Sequence, residues 1–153
     1  MWLSMKRIAM LAILLLCAAS LQAQNEEAFK AFGERYQNRE NYGVAVLGRA
    51  GIKMAGLLGD KQSRELMKQL DIVVSVNCSP DEDGTLKADF DRLTEAYEPV
   101  VDTLIDGDQV CVRIDKGLTA VAFYMTNAEM KNVTLFSGKE LDFKSLIPME
   151  VEE

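Results

Sequence analysis

Hydrophobic residues recur in three rhythms along this chain, and each rhythm predicts a different kind of element. From Ile8 to Ala19 they run unbroken for about a dozen residues. From Asn25 to Arg39 they fall at helical spacing, with Phe29, Phe32 and Tyr36 on one face. Asn25 suits the N-cap, Glu26 and Glu27 suit the first turn, and Asn41-Tyr42-Gly43 ends this helix. Tyr42 to Leu47 reads as a short strand. The glycine-punctuated apolar segment Gly48 to Gly59 reads as a loop and a short helix. Asp60 to Leu70 is a further helical stretch with Leu66, Met67 and Leu70 inward. Asp71 to Asn77, holding Ile72, Val73, Val74 and Val76, is a strand by its β-branched content.

The second half changes rhythm. Cys78 to Thr85 is a turn-rich loop, and Leu86 to Ala96 is a helix carrying Phe90, Leu93 and Tyr97 on one side. Pro99 ends it and opens a strand from Val100 to Ile105. Asp106-Gly107 is a tight hairpin signal. Strands follow at Gln109 to Ile114, Leu118 to Met125 and Val133 to Ser137, and a short helical turn, Asp142 to Leu146, precedes Pro148. Strands joined by tight turns imply antiparallel pairing. The expected fold is therefore α+β: two layers, a mostly antiparallel sheet with a C-terminal four-strand meander, and helices packed on one face.

The first rhythm is an address rather than part of that fold. Lys6 and Arg7 precede the apolar run, and Ser20-Leu21-Gln22-Ala23-Gln24 follows it with small Ala23 at the cut. That is the layout of a secretory signal. The run is too short to cross a bilayer, which needs roughly 20 apolar residues. Residues 1–23 are therefore read as a signal peptide and 24–153 as a single domain, exported to the periplasm or the extracellular space. An alternative is a lipoprotein cut before Cys17, although bulky Leu16 suits that cut poorly. Loss of residues 1–23 removes Lys6 and Arg7 and no acid, so the net charge of −7 becomes about −9. An acidic body disfavours nucleic-acid and anionic-lipid surfaces. The mature chain has no second apolar stretch long enough to span a membrane.

The chain contains no histidine. That excludes Ser-His and Cys-His nucleophile pairs and His-ligated zinc, and leaves acid–base work to Asp, Glu, Lys, Tyr or Cys. The mature cysteines are Cys78 and Cys111. Alternation along Gln109 to Asp115 places Val110, Val112 and Ile114 on the core face, with Cys111 and Arg113 on the polar face. Cys78 shares the inward parity of Ile72, Val74 and Val76. A bridge would join opposite faces, so both thiols are expected to be free, Cys111 the more reactive. Gly48 to Gly59 lacks the Gly-Lys-Ser/Thr ending of a phosphate loop. Asp81-Glu82-Asp83-Gly84 resembles part of a calcium loop, but Ser79 and Phe90 stand where acidic ligands belong. Asp102, Asp106, Asp108 and Asp115 lie at hairpin ends, where turn chemistry alone favours aspartate. No catalytic, cofactor-binding or metal-ligating residue is assigned.

The pattern from the Ala23-Gln24 signal end through the Phe-rich first helix, Gly43-Val44-Ala45-Val46, Leu66 to Val76, Tyr97-Glu98 to Val112-Arg113-Ile114 and Val133 to Asp142 resembles the DUF 4252 family. These are small exported bacterial proteins grouped as a domain of unknown function. The glycines around Gly48-Arg49-Ala50-Gly51 and the two mature cysteines depart from the family pattern. The resemblance implies export, no established enzyme activity and a link to sigma-factor signalling. The expectation is thus an exported, non-enzymatic protein without cofactor, acting through a protein partner in the cell envelope. Exposed apolar residues on the open sheet face or near Leu57 and Leu58 would anchor that partner. Two rivals stand beside it: a small-molecule or peptide binder using the groove beside Gly48 to Gly59, and a histidine-independent enzyme using Cys111.

Overall fold

The structure, a computed structural model, describes residues 2–57, 59–139 and 141. The order is α1 (Trp2–Gln37), β1 (Tyr42–Leu47), α2 (Arg49–Leu57), α3 (Lys61–Met67), β2 (Leu70–Cys78), α4 (Thr85–Leu93), β3 (Glu98–Ile105), β4 (Asp108–Ile114), β5 (Ala120–Thr126) and β6 (Lys131–Gly138). The turn expected at Asp142 to Leu146 lies outside the described residues. The strands form one six-stranded sheet in the order β1-β2-β6-β5-β4-β3. Every neighbouring pair is antiparallel. The chain thus adopts the expected α+β fold: β3 to β6 make the meander, α1 and α4 pack together on one side, and β2 joins the meander through β6.

The local chemistry that sets these elements is mostly turn and cap chemistry. Asn41 ends the first turn with a φ of 76°, a left-handed conformation that Asn tolerates. At the β3–β4 hairpin, Asp106 and Gly107 have φ values of 50° and 87°. Two successive positive φ values match the twist of the flanking strands, which explains why Asp-Gly sits there. Asp115 closes the β4–β5 connection. Its carboxylate accepts the backbone N–H groups of Thr119 at 2.7 Å and Ala120 at 2.9 Å.

Helix α1 is longer than the helix expected from Asn25, because it continues back to Trp2. Met5, Ile8 and Met10 are exposed on its N-terminal part. Its C-terminal part supplies the core: Phe29, Phe32 and Tyr36 are fully buried. Gly33 allows that approach. A Cβ there would lie 3.0 Å from a Val74 methyl and 3.2 Å from a Val46 methyl. Leu86 and Phe90 of α4 complete the layer over Ile72, Val74, Val76, Ala120, Ala122, Tyr124, Val133 and Leu135.

Strand parity needs correction in β4. Cys111 is fully buried in this main core, and Arg113 lies on the same face beneath α4. Val112 is buried too, but in a second cluster with Ile52, Leu70, Val121 and Leu141. Val110, Ile114, Phe123 and Phe136 pack around that cluster. Both faces of β4 are covered, so alternation alone could not tell which was the main one. Cys78 and Cys111 therefore share a face. They are kept apart by strand order instead: β6 and β5 lie between β2 and β4. Three strand spacings make about 14 Å, twice what a disulfide tolerates. Both cysteines are free and buried.

Candidate functional site

The glycine-rich segment singled out above forms one wall of a cavity. It opens between α2, α3 and the start of β2, with a volume of about 1000 Å³. That is the upper end of the size range of small-molecule sites. Its lining is mainly apolar, with Ile52, Gly56, Leu57, Met67 and Leu70 contributing. The helical period explains the arrangement. Ile52 and Gly56 are four residues apart on α2, and both are buried. Lys53 and Leu57 form the adjoining row, and Leu57 is exposed. Leu58 lies outside the described residues.

The cavity's charge is the opposite of the chain's. Arg49, Lys53, Arg64, Lys68 and Lys139 line it, against one acid, Asp71. The whole chain has 17 basic and 24 acidic residues, so this rim is a local inversion of the field. Spacing again does the placing: Arg49 and Lys53, like Arg64 and Lys68, are four residues apart and project on one side. Arg49 is committed. Its Nε donates to Asp71 Oδ1 at 2.8 Å, tying the first turn of α2 to β2, and the bond holds the guanidinium pKa above its usual value. Lys53, Arg64, Lys68 and Lys139 are exposed and form no ion pair among the described residues.

The other residues with possible chemistry do not converge on a site. Asp108 and Asp115 stand at opposite ends of β4, Asp106 is in the hairpin turn, and Asp102 pairs with Cys111 in register. Cys111 Sγ donates to Asp102 Oδ1 at 3.4 Å. Burial, then that bond and the carboxylate's charge, raise the thiol's pKa. Cys78 is raised to about 11 by burial and by Glu82. Both thiols are buried with raised pKa values, so nothing sets Cys111 apart as the more reactive of the two. The acidic turn before α4 is a cap. Glu82 Oε1 accepts the N–H of Thr85 at 2.5 Å and that of Leu86 at 3.3 Å, and the Asp83 carboxylate also accepts from Thr85. Lys131 Nζ stands 3.7 Å from Glu82 Oε2. Among the described residues no three acidic or cysteine side chains are grouped to hold a metal ion.

The tyrosines of the first face are structural. Tyr36 donates to Asp89, and Tyr97 donates to Asn25 Oδ1 at 3.4 Å. Tyr124 is buried against Phe90, and burial with nearby Glu82 pushes its hydroxyl up to about 12. No helix among the described residues is long and apolar enough to cross a membrane. Sequence reasoning found the Gly48 to Gly59 groove but missed its charge. The basic pairs at four-residue spacing were the signal available. Compared with known families, curated proteins and solved structures, the chain matches none.

Proposed function

We propose that this chain is an exported, non-enzymatic protein that works by binding, with the cavity between α2, α3 and β2 as its working surface. The observation that carries the reading is the conjunction of an apolar cavity of about 1000 Å³ with four exposed cations free of ion pairs among the described residues. Like charges gathered around one opening repel one another, and an anionic occupant relieves that repulsion. The sequence at residues 1–23 supports export, as does the resemblance to the DUF 4252 family. Intact mass of the secreted protein tests that part: cleavage after Ala23 is expected, and a mature chain starting at lipidated Cys17 would replace it. A melting-shift screen of anionic metabolites against the full chain tests the pocket. At a hundredfold excess over the dissociation constant a ligand stabilises by about 2.7 kcal/mol. Gly56→Leu, which places a side chain in the cavity, should abolish any such shift.

One observation favours a second surface, for an envelope protein partner. Strand β3 is an edge of the sheet, and Val100, Leu104 and Ile105 on it are 43%, 73% and 63% exposed. An exposed apolar edge strand is a template for an added strand from another chain. Cross-linking in cells from position 104 is the test. Recovery of an envelope protein that disappears with Leu104→Lys would support this reading, and its absence would leave the pocket as the sole working surface.

A further inference from the structure

Resting on the pocket reading, we propose that the occupant is a single-chain anionic amphiphile, a medium- or long-chain carboxylate with its tail in the cavity and its head at the rim. The floor decides the tail. The side chains of Ile52, Met67 and Leu70, with exposed Leu57 at the edge, offer no hydrogen bonds. A sugar, nucleotide or extended peptide placed there would leave hydroxyls, base edges or backbone amides unpaired. A hydrocarbon chain loses nothing by that contact and gains by leaving water. The rim decides the head. Arg64 and Lys68 stand one helical turn apart at the opening and are exposed. A carboxylate there keeps partial hydration while it meets their charges. The wall can adapt to the tail: α2 holds Gly51 and Gly56 within nine residues, so packing rather than helix propensity holds it in shape.

The test is titration calorimetry of the full chain with decanoate, dodecanoate and neutral decanol. One site is expected, with dodecanoate about tenfold tighter than decanoate, since each buried methylene contributes up to about fourfold in affinity. The double variant Arg64→Glu/Lys68→Glu changes only exposed side chains. It should weaken both carboxylates about tenfold and leave decanol unchanged. Gly56→Leu should remove binding of all three. Its new Cβ would meet Met67 Sδ at 3.6 Å, Met67 Cβ at 3.7 Å and Arg64 Cγ at 3.9 Å, all ordinary contacts, and a parent-like circular-dichroism spectrum with a cooperative melt checks that the rest of the leucine is accommodated. Equal binding of carboxylate and alcohol, equal affinity for both chain lengths, or binding that persists in Gly56→Leu would each overturn the proposal. If the amphiphiles fail while another anion gives a melting shift that Gly56→Leu abolishes, the carboxylate is wrong and the pocket reading survives. If nothing shifts the melting, both fall.

Discussion

Replacing Arg113 with alanine should destabilise the protein by about 2 kcal/mol, although strand alternation had placed this residue facing solvent. Its side chain is only 18% exposed. Nη1 donates to Asp91 Oδ1 at 2.8 Å and to Thr94 Oγ1 at 2.9 Å, and the guanidinium lies 5.0 Å from the centre of the Phe90 ring. The Asp91 side chain is 44% exposed, so screening limits that pair to about 1 kcal/mol. The bond to buried Thr94 adds about 1 kcal/mol, and the ring contact about 1 more. Freeing a long side chain returns roughly 1 kcal/mol of rotamer entropy, which leaves the net figure of about 2. Denaturant unfolding of parent, Arg113→Ala, Asp91→Asn and the double variant measures both the loss and the coupling. A coupling of about 1 kcal/mol is expected. The pH dependence provides a second readout. Burial pushes the Asp91 carboxyl up, but the bonds and charges of Lys87 and Arg113 outweigh it and leave its pKa lowered. A lowered carboxylate pKa contributes stability above the unfolded value of about 3.9, and that stability is lost as pH falls through the folded value. Arg113→Ala should therefore flatten the loss of stability below about pH 4. Stability within about 0.5 kcal/mol of the parent, with no coupling, would show that Arg113 points away from α4.

Three further outcomes follow from particular contacts. Cys78 and Cys111 should both resist alkylation at neutral pH until the protein is denatured, because both are buried and their pKa values are raised; rapid labelling of either in the native state would contradict the burial. Gly138→Ala should cost about 3 kcal/mol, since a Cβ there would overlap the Gln69 carbonyl oxygen at the β2–β6 register shift; an unchanged unfolding midpoint would mean that the two strands do not meet this closely. Ser137→Ala should stabilise by about 1 kcal/mol, because its buried hydroxyl has no hydrogen-bond partner among the described residues; a loss of stability would reveal a partner for that oxygen.

Much of the architecture was legible because it is written in local chemistry. Asp106-Gly107 requires a hairpin whatever surrounds it, since few other pairs accept two positive φ values. Phe29, Phe32 and Tyr36 mark a helix face by spacing alone. The β-branched run Ile72 to Val76 can hardly be anything but a strand. From such elements the antiparallel meander follows, because tight turns leave no other pairing.

What the tertiary structure decided is which side of each strand meets what. Alternation gives two sets of residues and does not name the faces. In β4 both sets are buried, so Cys111 and Arg113 could be assigned only once α4 was in place above them. The same holds for the cysteines: their separation depends on β6 and β5 lying between them, a consequence of strand order that no local pattern encodes. It holds most of all for the pocket. Arg49, Lys53, Arg64, Lys68 and Lys139 are scattered over ninety residues of an acidic sequence, where each reads as ordinary solvated charge. Only the packing of α2 and α3 against β2, with the end of β6 beside them, gathers them around one apolar cavity. There their fields add.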